Sequence, residues 1–355
     1  MNKSTILVAI LSLFIFSQCK NEANTSENST EEKMEKPSEP EALAPQKAIV
    51  QFSSSTVRPG NMAITSNGRM FTTQNPLLAP SSKIYEIKKD GETVPYPNDE
   101  YVTGENSVIK AVIGIRADSK DNLWFLDMGA KQFVVWNTVK EKLVKTIALP
   151  DEVVLATSFL QDFVLDEKHN RLIIADMTQG DLKSPPTPAF IVVNTEDGSA
   201  KRMAQGHKSM MPDVDGGFAL NPIAIDPSFE WVYYGALNGK SIYRTPADAF
   251  DSEEKIIAGI EKYGTKSFCD GITVDKNQNV YVTNIEEQAI AVSNKDGFRN
   301  IATLPEGQTW PDGLYIGNDG YVYSTVDQLN RIPALNNGKD DSQPPYLIIK
   351  TPLVK

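Results

Sequence analysis

Short apolar segments alternate with turns rich in Asp, Asn and Gly along most of the chain. One unit recurs: an apolar strand, a polar turn, and a second apolar strand that ends in a small or polar residue. This alternation is typical of antiparallel hairpins. The copies cover residues 62–73, 115–127, 162–176, 222–236, 270–284 and 312–326. The pattern therefore predicts an all-β fold of six similar units.

The spacing of the copies indicates which all-β fold this is. Their second strands end near residues 74, 127, 176, 236, 284 and 326, at intervals of 42 to 60 residues. Intervals of this size fit one four-stranded blade per copy. Further apolar runs between the copies, such as residues 132–136 and 189–193, are assigned to outer strands. We predict a six-bladed β-propeller over residues 47–355.

The two ends of this region predict how the ring closes. Residues 49–52 and 346–349 are both largely apolar. Pairing them within the last blade would remove an exposed sheet edge. Helical periodicity is nearly absent, and only residues 246–263 are expected to hold a helical turn or two.

The first 46 residues are predicted to form a targeting signal followed by a spacer. Lys3 precedes an apolar run over residues 6–16 that is too short to span a bilayer, and Cys19 stands where a bacterial lipoprotein would be cleaved and acylated. We therefore predict a lipoprotein-type signal peptide over residues 1–19 with lipidation of Cys19, or alternatively a cleaved secretory signal. Residues 20–46 predict a disordered acidic tether.

These segments predict a location outside the cytoplasm. The protein is expected to be lipid-anchored in the bacterial envelope, at the outer membrane or the cell surface, or to be secreted. Its expected contact with the membrane is through the lipid on Cys19 only, and a monomer is expected. Cys269 is then expected to be a small buried thiol.

Charge and composition narrow the function classes. The chain has 35 Lys and Arg against 46 Asp and Glu, a net charge of −11, and the seven Glu and three Lys of the tether account for −4 of it. Without a basic run, nucleic acid is excluded as a partner. The two histidines exclude a three-histidine metal site, and no HExxH motif is present.

Candidate chemistry lies where the first strand of each copy begins, because these strands line the central channel of a propeller. Four polar residues recur there: Asp162, Asn221, Asp270 and Asp312. Such a group can hold an ammonium ion, bind a divalent cation or supply a general base. Neighbouring carboxylates also raise one another's pKa. We predict Asp162, Asp270 and Asp312 as catalytic residues and Asn221 as a ligand-binding residue; the alternative is that they lock their blades through backbone hydrogen bonds.

A second set of candidates stands at or after the ends of the second strands. It contains Asp127, Asp176, Asn284 and Glu286. We predict ligand binding for them, although residues at such positions commonly cap turns. Trp310, just before Pro311 and Asp312, is predicted to stack on an aromatic ligand.

Ordered motifs from all six copies carry a family resemblance over about residues 49–349. They are Arg58-Pro59-Gly60-Asn61, Leu123-Trp124-Phe125-Leu126-Asp127, Gly206-His207-Lys208-Ser209, Ile242-Tyr243-Arg244-Thr245-Pro246, Asp270-Gly271-Ile272 and Trp310-Pro311-Asp312-Gly313. In this order they resemble the major royal jelly/yellow protein family.

The resemblance implies an extracytoplasmic, L-dopachrome tautomerase-related propeller that acts on or binds a small aromatic amine or aminochrome in its central channel. An isomerase activity of that kind is one expectation from it. Two departures are visible. The disulfides of the insect members cannot form with Cys269 alone, and Gln161 precedes Asp162 where bacterial relatives tend to have Asn.

Two other functions stay open. One is a non-catalytic binding protein that uses Trp310 for an aromatic ring and the carboxylates for an ammonium group. The other is a metal-dependent lactonase of the gluconolactonase type, in which Asn221 and Asp270 would hold a divalent cation such as calcium. That family also needs a glutamate in the first blade, and the expected strand before Asn61 has none.

Overall fold

The computed structural model describes residues 44–355. The predicted signal peptide, Cys19 and most of the predicted tether lie outside these residues. Within them the chain is mainly strands, which form six small sheets. The first two strands of the described residues, β1 (Gln46–Lys47) and β2 (Ile49–Ser54), join the last two sheets.

Four blades are each built from four consecutive antiparallel strands. Blade 1 contains β3 (Met62–Ile64), β4 (Met70–Thr73), β5 (Ile84–Ile87) and β6 (Thr93–Pro95). Blade 2 contains β7 (Val112–Ala117), β8 (Asn122–Asp127), β9 (Gln132–Asn137) and β10 (Lys142–Ala148). Blade 3 contains β11 (Leu160–Asp166), β12 (Arg171–Asp176), β13 (Ala189–Asn194) and β14 (Ala200–Met203). Blade 4 contains β15 (Leu220–Ile225), β16 (Trp231–Ala236), β17 (Ser241–Pro246) and β18 (Glu261–Thr265).

The last two blades also take strands from the start of the described chain. Blade 5 contains β19 (Ile272–Val274), β20 (Val280–Asn284), β21 (Ala289–Asn294) and β22 (Gly297–Thr303), with β1 parallel to β22. Blade 6 contains β23 (Pro311–Ile316), β24 (Tyr321–Val326) and β25 (Tyr346–Pro352), with β2 as its outer strand. The first strand of each blade contacts the first strand of the next, and β23 contacts β3, so the ring is closed. The predicted six-bladed β-propeller is confirmed.

Ring closure follows the predicted pairing. Ile49 lies opposite Lys350, and Val50 lies opposite Ile349, in an antiparallel ladder. The ladder gives β25 a partner on its outer side, so β25 is not a free sheet edge.

Apolar side chains fill the spaces between adjacent blades. One cluster joins blades 2 and 3 through residues that include Phe133, Phe163 and Ile174, and comparable clusters lie at the other blade contacts. The Phe133 and Phe163 rings meet edge to face, with centroids 4.9 Å apart. Edge-to-face contact is a favoured arrangement of aromatic pairs. These clusters hold the inner strands in fixed positions around the channel.

Helices are short in the described chain. They are α1 (Asp99–Val102) and α2 (Glu253–Gly259), together with 3-10 turns at Pro76–Leu78, Lys208–Met210, Ala247–Asp251 and Leu329–Arg331. The helical turns expected within residues 246–263 are therefore confirmed. No helix among residues 44–355 combines the length and apolar character needed to cross a bilayer.

The inner strands are irregular where they enter the channel. The register between the first and second strands shifts at Val112–Ile115, Leu160–Asp162, Leu220–Ile223 and Pro311–Leu314. A β-bulge bends a strand and turns a side chain in a new direction, and bulges are common at barrel rims and beside active sites. Asp162, Asn221 and Asp312 lie at these bulges, and Asp270 lies two residues before β19.

Candidate functional site

The four predicted channel residues come together at one end of the inner strands, called here the channel entrance. The amide nitrogen of Asn221 donates to Oδ1 of Asp270 at 2.9 Å. Asp270 and Asp312 line the same cavity. The negative charge of Asp162 raises the pKa of both Asp270 and Asp312, which shows that the three carboxyls lie within electrostatic range.

Both carboxyl oxygens of Asp270 accept a hydrogen bond. Its Oδ2 accepts a 2.7 Å hydrogen bond from Nε1 of Trp310, opposite the bond from Asn221 to Oδ1. Burial raises the pKa of Asp270 to about 6, although both hydrogen bonds favour the ionised form. At neutral pH, Asp270 is therefore mostly ionised and close to the pKa that suits a general base.

Asp312 faces a further carboxyl, Asp327, directly after β24. The two residues are neighbours in the β23–β24 ladder, where Pro311 lies opposite Val326, and each carboxyl acts on the pKa of the other. Burial, together with the negative charges of Asp270 and Asp327, holds the pKa of Asp312 well above its usual value. Two adjacent buried carboxyls cannot both ionise readily. Asp327 escaped sequence reasoning, because it stands one residue beyond the predicted end of the strand.

Asp162 is paired with a cation. It forms an ion pair with Arg116, and its Oδ1 accepts a 2.8 Å hydrogen bond from the backbone N–H of Phe163. Burial still raises the pKa of Asp162, against the opposing effect of Arg116. Because its charge is balanced locally, Asp162 is less available to a ligand than Asp270.

Trp310 reaches the entrance through an unusual backbone conformation. Its φ is 60°, in the left-handed region, and its N–H donates to Oε1 of Gln288 at 2.9 Å. This region is uncommon for a non-glycine residue, although thirteen others in the described chain share it. The ring lines the cavity while the indole N–H is engaged with Asp270. Stacking on an aromatic ligand stays a prediction.

The cavity at the channel entrance, here the entrance cavity, combines an acidic floor with an apolar wall. Asp270 and Asp312 lie on the floor with Trp310. The wall includes Leu77, Phe159, Met177, Leu182, Phe218 and Leu237. Among the described residues that line it, none is Lys, Arg or His. Its volume is about 30 Å³, room for roughly one or two waters.

The second predicted set is engaged in local contacts outside the entrance cavity. Oδ1 of Asp127 accepts from the backbone N–H groups of residues 111 and 130 at 2.9 and 3.2 Å. Asp176 accepts from two backbone N–H groups and forms a buried ion pair with Arg202. Asn284 caps the turn at residues 286–287, and Glu286 pairs with Lys240. Ligand binding by these residues stays a prediction, and their contacts match the turn-capping alternative.

A buried lysine behind the site also escaped sequence reasoning. Lys266 is 1% exposed, and its Nζ donates to the carbonyl oxygens of Ala236 and Gly239, each at 2.6 Å. Cys269, three residues later, is fully buried and is a free thiol, as expected. Lys266 thus ties the loop that carries Asp270 to the end of blade 4.

The described residues do not fit a calcium site. In residues 44–355, no three His, Cys, Asp or Glu side chains are arranged to hold a metal ion. Calcium takes six to eight oxygen ligands, whereas Asn221 turns its amide N–H groups toward Asp270. Calcium binding by Asn221 and Asp270 stays a prediction without support from this geometry.

A larger cavity of about 720 Å³ lies at the opposite end of the inner strands. Arg116 and two of its carboxyls are already engaged: Arg116 is paired with Asp162, and Asp226 and Asp275 cap backbone N–H groups of their own turns. Size alone would favour this cavity. The unpaired carboxyl groups favour the entrance cavity as the candidate site.

The solved structures that resemble this chain are other propellers. A gluconolactonase from Xanthomonas campestris is 11% identical, with a TM-score of 0.57 over 86% of this chain and 89% of its own. A calcium-binding regucalcin from Agrobacterium tumefaciens is 12% identical, with a TM-score of 0.54 over 86% of this chain and 93% of its own. A chain of a nidogen/laminin complex is also 12% identical, with a TM-score of 0.52 over 73% and 84%. At these identities the likeness supports the fold alone.

Sequence comparison identifies the family. No curated protein matches the chain. The sequence model described as major royal jelly protein matches residues 110–352, from just before β7 to the end of β25. This match spans about two thirds of the chain and contains Asp162, Asn221, Asp270 and Asp312. The propeller with its acidic channel entrance therefore belongs to the major royal jelly protein family.

Proposed function

We propose that the protein binds a small aromatic amine, or an aminochrome without a carboxylate, in the entrance cavity and that Asp270 acts there as a general base. The observation that carries this proposal is the position of Asp270, on the floor of an apolar cavity and between two N–H donors. The reaction that fits is a tautomerisation of the dopachrome type.

Charge and surface complementarity favour this class of ligand. A protonated amine would meet Asp270 on the floor, and an aromatic ring would lie against Trp310 and the leucine and phenylalanine side chains of the wall. Partly buried charges interact strongly because solvent screens them poorly. The entrance cavity thus supports an amine more strongly than a neutral sugar or lactone.

The same argument disfavours a ligand with a carboxylate. None of the described residues that line the cavity offers a positive charge, and a ligand carboxylate would face Asp270 and Asp312. L-Dopachrome carries a carboxylate, whereas the aminochrome made from dopamine does not. We therefore propose the decarboxylated compound as the better substrate.

Binding requires the cavity to widen. Its volume of about 30 Å³ is far below the roughly 300 Å³ of small ligand pockets. Leu77 and Leu182 lie on connecting segments between strands, and their side chains are half-buried. We infer that these side chains move aside when a ligand enters.

We also propose that the protein works outside the cytoplasm, anchored by a lipid on Cys19. The apolar run over residues 6–16 and the position of Cys19 support this. Metabolic labelling with a palmitate analogue, compared between the natural chain and Cys19→Ala, tests it. Equal labelling of both chains would contradict the lipid anchor.

Calorimetry with matched ligands tests the proposed function. Dopamine and L-DOPA differ only in the carboxylate, so we expect dopamine to bind at least ~10-fold more tightly, equivalent to about 1.4 kcal/mol. Asp270→Asn should weaken dopamine binding by about 10- to 100-fold, and the exposed Asp151→Asn should leave it unchanged. Equal affinity for the two compounds would contradict the proposed ligand class.

Loss of colour from the two aminochromes tests the catalytic part. The dopamine-derived compound should be converted faster than L-dopachrome, and Asp270→Asn should abolish the difference. Amine binding without any conversion would leave a non-catalytic binding protein. Lactone hydrolysis that a chelator abolishes would replace both with the lactonase function.

A further inference from the structure

Asp327 occupies a position that is apolar in three other blades. The residue after the second strand donates its backbone N–H to the residue before the inner strand, and this bond recurs around the ring. The donors are Met128, Met177, Leu237 and Asp327, at 2.8, 3.2, 2.9 and 3.2 Å from their acceptors. The fold thus requires only the backbone N–H at this position. In blades 2, 3 and 4 the residue that provides it has an apolar side chain. The carboxyl in blade 6 is not required to hold the blade.

The Asp327 carboxyl lies in a setting that a structural aspartate would not have. It is completely buried, and within residues 44–355 neither oxygen has a hydrogen bond of normal geometry, although the backbone N–H of Leu329 acts to lower its pKa. The group it meets is the Asp312 carboxyl. By contrast, Asp127 and Asp176 each accept from backbone N–H groups. A buried carboxyl without such donors is costly unless it shares a proton with a neighbour.

A cation lies behind this pair without a partner of its own. Arg58 is 6% exposed, its Nε and Nη2 reach no acceptor within the described residues, and its guanidinium stacks on Tyr346 at 4.2 Å. Its positive charge acts on Asp327. The negative charges of Asp270 and Asp162 act on Asp312 from the neighbouring blades. A single negative charge on the pair would therefore balance Arg58, and the remaining proton would lie on Asp312.

We propose that Asp312 and Asp327 hold one proton between them, balanced by Arg58, and that this pair is the proton donor of the site in which Asp270 is the base. The pairing rests on the burial of both carboxyls, on the lack of another side-chain partner for Asp327 within the described residues, and on the β23–β24 register. Its role as a donor rests on the proposed function. A tautomerase needs one group that takes a proton and another that gives one, and groups whose environments differ in this way are the usual acid and base.

The proposed step balances without an oxidant. Asp270 removes a proton from the saturated carbon of the nitrogen-containing ring that is bonded to the quinone ring, and that C–H bond breaks. The electron pair moves through the conjugated system to a quinone oxygen, which forms an O–H bond with the proton from Asp312. Asp270 then releases its proton to solvent, and the pair takes one up. Substrate and product are isomers.

Infrared spectroscopy of the ligand-free protein tests the pair directly. We expect the C=O stretch of one protonated carboxylic acid at pH 7.5, where most Asp270 is ionised. Asp312→Asn and Asp327→Asn should each lower the pH at which this band disappears by about one unit or more, and the double variant should lack it. Asp151→Asn is the control that keeps the band unchanged. A natural protein without the band, or a double variant that retains it, would overturn the proposal.

A second measurement covers the case in which Asp327→Asn does not fold. Asp327→Leu introduces the residue type that blade 4 has at the equivalent position, Leu237. This variant should also lower the pH at which the infrared band disappears. With the dopamine-derived aminochrome, either variant should reduce kcat by about 100-fold or more while dopamine affinity changes less than threefold. Unchanged kcat would remove the donor role. If the natural protein neither binds nor converts the ligand, the proposed function fails, and the infrared result still decides whether the pair exists.

Discussion

The indole N–H of Trp310 donates to Oδ2 of Asp270 at 2.7 Å. This contact joins blade 6 to the loop before blade 5, and it places an aromatic ring beside the carboxylate that the proposed function needs. A hydrogen bond to a charged group favours the ionised form. The tryptophan therefore sets how basic Asp270 is, in addition to forming part of the cavity.

Trp310→Phe should raise the pKa of Asp270. The variant keeps an aromatic ring but removes the N–H donor, and a hydrogen bond to a charged group is worth about 1.5–3 kcal/mol, so the pKa should move from about 6 to roughly 7–8. Trp136→Phe is the matched control, since Trp136 donates to Glu141 at 3.3 Å in blade 2. The pH dependence of dopamine affinity reports the change. An unchanged pH dependence in Trp310→Phe would contradict this assignment.

Asp270→Asn should change how stability depends on pH. The folded-state pKa of about 6 lies above the reference value of 3.8, so the folded protein binds the proton more tightly. The contribution of Asp270 to stability is full below about pH 4 and is lost as the pH rises through 6, by about 3 kcal/mol. The Asp270→Asn variant should not lose this part of its free energy of unfolding as the pH rises. Urea unfolding at pH 4 and pH 7.5 should show the variant gaining relative to the natural protein; a constant difference would refute the prediction.

Arg202→Met should destabilise blade 3. Arg202 and Asp176 form a buried ion pair at 2.6 Å, with side chains 8% and 0% exposed. Removal of one partner of a buried pair costs about 3–5 kcal/mol, because the other charge stays buried. Lys168→Met breaks an exposed pair with Glu230 and should cost less than about 1 kcal/mol. Urea unfolding compares the two variants, and equal losses would count against a special role for the buried pair.

Truncation tests the closure of the ring. A chain that starts at residue 49 keeps β2 and should unfold cooperatively, whereas a chain that starts at residue 56 exposes the edge of β25. An exposed edge strand pairs with other chains, so we expect the shorter chain to self-associate. Size-exclusion chromatography with light scattering distinguishes the two. A monomeric, cooperatively folded shorter chain would show that β2 is dispensable.

Local sequence patterns predicted most of the fold. Each blade repeats the same strand and turn pattern, so the six-bladed ring and the pairing of β2 with β25 follow from alternation alone. The entrance residues were also predictable, because they recur at one position of the repeat. Asp270 and Asn221 do meet there.

The surroundings of the site were not predictable in the same way. The Arg58 side chain packs on the ring of Tyr346, and the Lys266 side chain donates to carbonyl groups of the preceding blade. Neither contact leaves a signal in the local pattern. Asp327 does differ visibly from its equivalents in the sequence. The equivalent residues 128, 177 and 237 of the other copies are Met or Leu. Comparison of the copies with one another, position by position, would have found it.

The pairing of β2 with β25 fixes the order in which the ring can be completed. Ile49 and Lys350 are partners separated by about 300 residues. At a synthesis rate of about 5–20 residues per second, roughly 15 to 60 seconds pass between the synthesis of β2 and that of β25. Until the last strand is present, blade 6 lacks the pairing of β2 with β25. The ring therefore cannot close before the end of the chain is available, and until then β2 stays an unpaired edge that can pair with other chains.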